Sequence, residues 1–179
     1  GALRTNAPVR GQASDSYELY GAKIDYDFGP ITLTSITGSY TRERQSLFYD
    51  PTFTAQVNFL YGGFGLTNPV TTRSLGFTDD NFTQEFRLAS DFDGPLNFTA
   101  GLFYKDGTFI SNFAALTPGI AAYTSPSSTV LTAGVTHFDT EQTSAFGELT
   151  WDVTERLRLI AGARYVSETQ TARFDPNGF

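Results

Sequence analysis

The sequence predicts an all-β fold: a segment of an antiparallel up-and-down transmembrane β-barrel, with about six long strands in three hairpins, short periplasmic turns and long extracellular loops. Three observations predict it. A nine-residue alternation occurs twice, as Leu96-Asn-Phe98-Thr-Ala100-Gly101-Leu102-Phe-Tyr104 and as Leu157-Arg-Leu159-Ile-Ala161-Gly162-Ala163-Arg-Tyr165. Short turns at similar intervals each open with Asp and an apolar residue. Long connections separate the resulting hairpins. Period-two alternation makes a strand with one oily and one wetter face. Eight steps of about 3.4 Å, tilted by roughly 40°, climb about 21 Å, close to the apolar band of roughly 25 Å that an outer-membrane barrel presents.

Composition agrees. The chain has 179 residues, with 17 Phe, 9 Tyr and 1 Trp. No run approaches the roughly 18 apolar residues of a membrane helix, which excludes a helical membrane protein. A mean hydropathy of −0.21 fits alternation, which averages oil and water. The net charge of −7 argues against nucleic-acid partners, which want a basic stripe. With no cysteine there is no disulfide framework, thiolate metal site or thiol nucleophile.

The turns are Asp27-Phe28-Gly29-Pro30, Asp91-Phe92-Asp93-Gly94-Pro95 and Asp152-Val153-Thr154-Glu155-Arg156. Gly-Pro and Asp-Gly are strong turn dipeptides, and only the third turn lacks both. The strands entering these turns are expected at Tyr17–Asp27, Asn81–Asp91 and Thr143–Asp152. Aligned on the Asp, one parity reads Ala22/Ile24/Tyr26, Phe86/Leu88/Ser90 and Gly147/Leu149/Trp151, which would face lipid. The other carries Lys23/Asp25/Asp27, Glu85/Arg87/Asp91 and Glu148/Thr150/Asp152, which would face the lumen. The strands leaving the turns are expected at Ile31–Glu43, Leu96–Tyr104 and Leu157–Val166. The first breaks parity, since Ile31 and Leu33 oppose Ile36 and Tyr40. A bulge between Leu33 and Ile36 or a misassigned strand would each explain it.

The connections, roughly 45–80 and 105–140, are longer than compact soluble domains favour. Within them Phe53–Tyr61, Thr108–Leu116 and Val130–Phe138 read as strand-like extensions of the wall. Pro118 to Ser128 reads as a mobile loop tip. Six strands are too few to close a membrane barrel, and open edges in lipid would leave amides unpaired. Residues 1–179 are therefore expected to be a partial barrel domain of a larger wall, without a signal peptide, and with the remaining strands elsewhere.

These segments resemble the barrel of TonB-dependent outer-membrane receptors. The resemblance is carried by Phe82-Thr-Gln-Glu85-Phe86-Arg87-Leu88-Ala-Ser-Asp91, Gly94-Pro95-Leu96 and Ala100-Gly101-Leu102-Phe103-Tyr104. It is carried again by Ser144-Ala-Phe146-Gly147-Glu148-Leu149-Thr-Trp151-Asp152, Leu157-Arg-Leu159 and Ala161-Gly162-Ala163-Arg164-Tyr165. It implies a 22-stranded barrel occluded by a plug, localised to the bacterial outer membrane. It also implies uptake of ferric siderophores, cobalamin, haem or saccharides, energised through a TonB-type partner by way of the plug. This chain shows no plug, no TonB-box segment and no aromatic C-terminal strand, so the mechanism would not reside in these residues alone. Outer-membrane lipid, the imported solute and the energising protein are the expected partners; no cofactor is expected.

Candidate functional residues fall into groups. Lys23, Asp25, Glu85, Arg87, Glu148, Arg158 and Arg164 are expected in the lumen, pairing across the wall or contacting a plug. Tyr40, Tyr104, Trp151 and Tyr165 are expected as an aromatic girdle at the lipid interface. Tyr49, Phe59, Tyr61, Phe64, Phe109, Phe113 and Tyr123 are candidate loop contacts to a ligand, although packing of loop against loop is the slightly better account of them. With Arg73 the only basic residue in 45–80, the loops lean toward a neutral or aromatic ligand. Asp79-Asp80 and Asp25/Asp27 read as turn or lumen residues rather than calcium ligands. No catalytic role is expected: the single histidine, His137, with Asp139 and Ser144 nearby, has no spacing that enforces a triad. The competing readings are an unplugged porin-like diffusion barrel, an outer-membrane hydrolase using His137, and a soluble β-sandwich burying the two nonapeptide faces against each other.

Overall fold

The expected turns close three hairpins. At the first, the Phe28 amide donates to the Ile31 carbonyl (2.8 Å) and Gly29 takes φ +83°, a left-handed conformation that favours glycine. At the second, the Asn97 side chain accepts from the Phe92 amide (2.7 Å) and donates back to its carbonyl (3.2 Å). The residue that opens each later turn is bonded through its backbone. The Asp91 amide donates to the Pro30 carbonyl and the Asp152 amide to the Pro95 carbonyl, both at 2.7 Å, stitching each hairpin to the next.

The computed structural model describes residues 8–124 and 128–176. Its strands are β1 (Gln12–Asp27), β2 (Ile31–Tyr49), β3 (Thr72–Ser90), β4 (Leu96–Leu116), β5 (Val130–Thr154) and β6 (Leu157–Asp175), with helix α1 (Pro51–Tyr61) between β2 and β3. They form one antiparallel sheet in the order β1-β2-β3-β4-β5-β6, which is not closed. A single sheet replaces the sandwich alternative: both nonapeptides lie in it, separated by β5, and cannot bury each other.

Register decides the faces, because residues directly opposite in an antiparallel pair share one. Leu33, Leu88, Ala100, Gly147 and Ala163 form one row, while Asp25, Thr34, Arg87, Gly101, Phe146 and Arg164 form a neighbouring row on the opposite face. Along β5, from Trp151 to Thr143, no Asp, Glu, Lys or Arg lies on the first face in any strand. That eight-residue step spans about 27 Å of strand. Beyond it the same face becomes acidic at Asp106 and Glu141, which oppose each other.

Neither a bulge between Leu33 and Ile36 nor a misassigned strand accounts for the parity break. β2 keeps continuous register with both neighbours, and the shifts fall instead at Ala115/Leu116 and Asp152/Thr154. Ile36 and Tyr40 therefore lie on the charged face, opposite Lys23 and Leu19, and Ser35 and Thr37 on the charge-free one. Gln84 satisfies these two hydroxyls. Thr37 Oγ1 donates to Gln84 Oε1 (2.6 Å), and Gln84 Nε2 donates to Ser35 Oγ (3.0 Å). Self-contained bonding of this kind is what a face without water requires.

The nonapeptide glycine has a packing role. Gly101 lies opposite Phe146, whose ring covers it, and a Cβ there would also stand 2.8 Å from the Phe86 carbonyl oxygen. An aromatic side chain lying over a cross-strand glycine fills the gap it leaves. We expect Gly101→Val to destabilise the wall by about 1–3 kcal/mol, the usual cost of overpacking, in equilibrium unfolding of the folded receptor. An unchanged midpoint would refute this packing role.

The strand-like reading fails at Phe53–Tyr61, which is helical. Asp50 accepts from the Phe53 amide (3.0 Å) as N-cap, and Pro51 opens the helix, a position where proline is favoured. Thr108–Leu116 and Val130–Phe138 do extend β4 and β5. Of the expected loop tip, 118–124 includes a short 3₁₀ turn, Ile120–Ala122, whose Ile120 is fully buried; residues 125–127 lie outside the described residues. The main hydrophobic cluster sits here rather than on the sheet: Val57, Leu66 and Ile120, flanked by Tyr61, Tyr123 and Leu131.

Candidate functional site

Lys23, Asp25, Glu85, Arg87, Glu148, Arg158 and Arg164 all project from the charged face. Much of their charge is answered on the wall itself. Lys23 pairs with Asp25 (2.8 Å), Arg87 with Glu85 (2.5 Å) and Arg158 with Asp152 (2.6 Å). Arg164 donates to the buried Ser144 hydroxyl (2.9 Å). Exposed pairs of this kind contribute about 0–1 kcal/mol each, so they order the face more than they stabilise the fold. Arg87 and Arg164 both lie over the Phe146 ring at 5.9 Å.

Of the expected girdle, Tyr104, Trp151 and Tyr165 share the charge-free face. Tyr40 does not: uninterrupted alternation along β2 sets it on the charged face, in the row of Leu19 and Asn81. The acidic candidates do not converge. Asp79 and Asp80 point to opposite faces, whereas Asp25 and Asp27 accept from Thr34 (2.6 Å) and Thr32 (2.7 Å). His137 and Asp139 share one face while Ser144 lies on the other, so these three do not assemble a triad.

The loop aromatics do not form one surface. Tyr61 and Tyr123 meet at 6.2 Å and close the Val57/Leu66/Ile120 cluster, joining the β2–β3 connection to the β4–β5 connection. The buried Thr71 and Thr117 hydroxyls bond across the same junction (2.7 Å). Phe59 and Phe64 remain exposed (87% and 76%). Tyr49, the last residue of β2, pairs in register with Thr72. Arg73 is tied into the junction: its guanidinium lies 4.9 Å over the Phe53 ring, and its Nε stands 3.0 Å from Asp50 Oδ2. That Nε–H makes no hydrogen bond, so the Asp50–Arg73 contact is an ion pair without aligned donation.

Phe109 belongs to a different assembly, on the charged face beyond the charge-free band. Phe77, Phe109 and Phe138 form a ladder across three strands, with ring centroids 5.5 and 6.1 Å apart. Arg42 lies 5.2 Å over Phe77, and Asp15 accepts from its Nε (2.8 Å). This bonding holds the Asp15 carboxyl below the usual carboxylate range and raises Arg42. The pair is intact above the ordinary carboxylate pKa and is lost only as pH falls through the depressed one. Beside it opens a cavity of about 600 Å³ lined by Arg44, Phe48, Leu75, Phe77 and Ser111 among others. Phe113 lies in the next row, opposite Gly134. The sequence reading missed Arg42, Arg44, Phe77 and Phe138 as one group. The available signal was the parity that Arg42 and Arg44 share on β2.

The family model described as TonB dependent receptor-like, beta-barrel, matches residues 2–179. The ferric yersiniabactin uptake receptor FyuA from Yersinia pestis superposes with a TM-score of 0.72 at 13% identity, over 97% of this chain and 23% of FyuA. The siderophore receptor PiuA from Acinetobacter baumannii aligns over 91% of this chain and 30% of its own at 14% identity, with a TM-score of 0.45. A search of the curated proteins found no match. This chain thus spans about a quarter of the length of FyuA, whose likeness shows the fold. With the family model matching nearly every residue, the chain belongs to the TonB-dependent receptor-like β-barrel family.

Proposed function

We propose that this chain forms part of the wall of a bacterial outer-membrane receptor that imports a scarce solute using energy from the inner membrane. The observation that carries the reading is the charge-free band, nine residues deep along β5 on one face, backed by ion-paired side chains on the other. One face meets lipid between Trp151 and Tyr104. The other meets a wet interior, where Glu148, Arg164 and their neighbours contact a plug contributed by another part of the receptor. The solute is a ferric siderophore, cobalamin, haem or a saccharide. The ferric siderophore is favoured, because FyuA is a ferric yersiniabactin uptake receptor. The chain acts as a positioning wall without a catalytic group.

The test is uptake of labelled solutes of these classes by cells carrying the full receptor, with and without collapse of the inner-membrane proton gradient. Accumulation of one class is expected to stop when the gradient is collapsed or the TonB-type partner deleted. Uptake that persists unchanged would replace this reading with the passive porin-like barrel.

A further inference from the structure

We infer that a groove on the charge-free face, running along β5 from Gly147 to Glu141, seats one outer-leaflet lipid whose headgroup carries an ammonium. The acyl chain lies in the groove, and the ammonium meets Asp106 and Glu141 at its upper end. This rests on the proposed reading that the charge-free face meets lipid. Shape, length and charge carry it.

The β5 residues on this face are large at Trp151 and Leu149 and small at Gly147, Ala145 and Thr143. Leu102 and Tyr104 on β4 and Tyr165 on β6 stand on either side. Three adjoining cavities of about 370, 370 and 450 Å³ open along this line. The first two share Phe86, Leu102 and Ala145, and the second meets the third at Ala100. The walls stand two strands apart, about 10 Å between backbones, which is room for one hydrocarbon chain rather than a protein face.

Gly147 is midway between Trp151 and Thr143, the limits of the charge-free band. The six residues from there to Glu141 cover about 20 Å of strand, or about 16 Å along the membrane normal at a tilt of roughly 40°. One hydrocarbon leaflet is about 15 Å thick. The groove therefore reaches from the bilayer midplane to the headgroup level on the side of the long loops.

At that level the face is acidic. Asp106 and Glu141 lie directly opposite each other, and Asp80 and Asp139 occupy the next row. Asp106 accepts from the Tyr104 hydroxyl and Asp139 from Thr108, both at 3.1 Å, neutral donors that leave the charge in place. No cation on this face answers them nearby. Arg173, two rows beyond Glu141, is its only Lys or Arg in the six strands, and Lys105 and Arg164 project from the other face. An anionic headgroup would be repelled here, whereas an ammonium would form charge-assisted hydrogen bonds to the two carboxylates. Thr143, one row below them, presents a hydroxyl at the level of the ester carbonyls.

The experiment is native mass spectrometry of the full receptor in detergent micelles, titrated with phosphatidylethanolamine or phosphatidylglycerol bearing the same acyl chains. One phosphatidylethanolamine is expected to be retained about tenfold more tightly than phosphatidylglycerol, the worth of a charge-assisted hydrogen bond. Asp106→Asn combined with Glu141→Gln is expected to bring the two lipids to parity. Ala145→Phe, which fills the groove from an exposed position, is expected to loosen both about tenfold. Equal retention of the two lipids by the parent, or a preference that survives the neutralised variant, overturns the assignment. So does magnesium-dependent retention of phosphatidylglycerol, which would make the partner a phosphate bridged by a divalent cation, or a receptor dimer with the groove empty of lipid. Headgroup preference is read without transport, so its absence leaves energised uptake standing. A face that does not meet lipid at all shows separately, as tolerance of Ala100→Arg.

Discussion

Replacing Ala100 by arginine is expected to destabilise the receptor by about 2–4 kcal/mol, whereas arginine at the adjacent Thr99 is expected to change stability by less than about 1 kcal/mol. The two positions differ by one residue and therefore by a face. Ala100 lies between Leu88 and Gly147 near the middle of the charge-free band, where a guanidinium would have to shed its water into hydrocarbon. Thr99 lies opposite Glu148, which would pair with it. The measurement is equilibrium unfolding of the full receptor in lipid vesicles, supported by the fraction that keeps its compact mobility in unheated detergent. Equal tolerance of both substitutions would mean that the charge-free face does not meet lipid, and the assignment of faces would fall with it.

Ile120→Ala is expected to cost the loop junction about 2–5 kcal/mol while leaving the sheet intact. Ile120 is fully buried against Val57 and Leu66, and no other hydrophobic cluster in the two connections could compensate among the described residues. Because the junction is separate from the ladders of hydrogen bonds below it, its loss should appear as local rather than global opening. Limited proteolysis should cut within 50–71 and 117–129 in the variant, at protease levels that leave the parent uncut. The unfolding midpoint of the wall should stay unchanged. A wall that unfolds together with the loops would show the junction to be part of the barrel's own stability.

The sheet was legible because its signals are local. Alternation in the two nonapeptides reports strand and face together, and Gly29 performs a turn role that its residue type announces. Separation of charge was equally readable, since all seven lumen candidates share one face once register is drawn. The aromatic candidates were less readable. Tyr61 and Tyr123 are 62 positions apart in sequence and meet only because α1 and the 3₁₀ turn Ile120–Ala122 bring two connections over one another. The helix carried a missed local signal in Asp50-Pro51, an N-cap followed by proline, which the β-rich composition of Phe53–Tyr61 obscured.

What the sequence determined by itself is the existence of strands, their turns and the partition of oil from charge, because side-chain period and turn chemistry act over a few residues. What only the tertiary structure decided is where parity is broken and which distant groups meet. Ile36 and Tyr40 take the charged face because β2 stays in register with two neighbours at once; slipping it would sacrifice two hydrogen-bond ladders to correct two side chains. The Ser35–Gln84–Thr37 bonds and the convergence of Arg44 with Phe77 follow from that register, a cooperative property of paired strands that no single strand encodes.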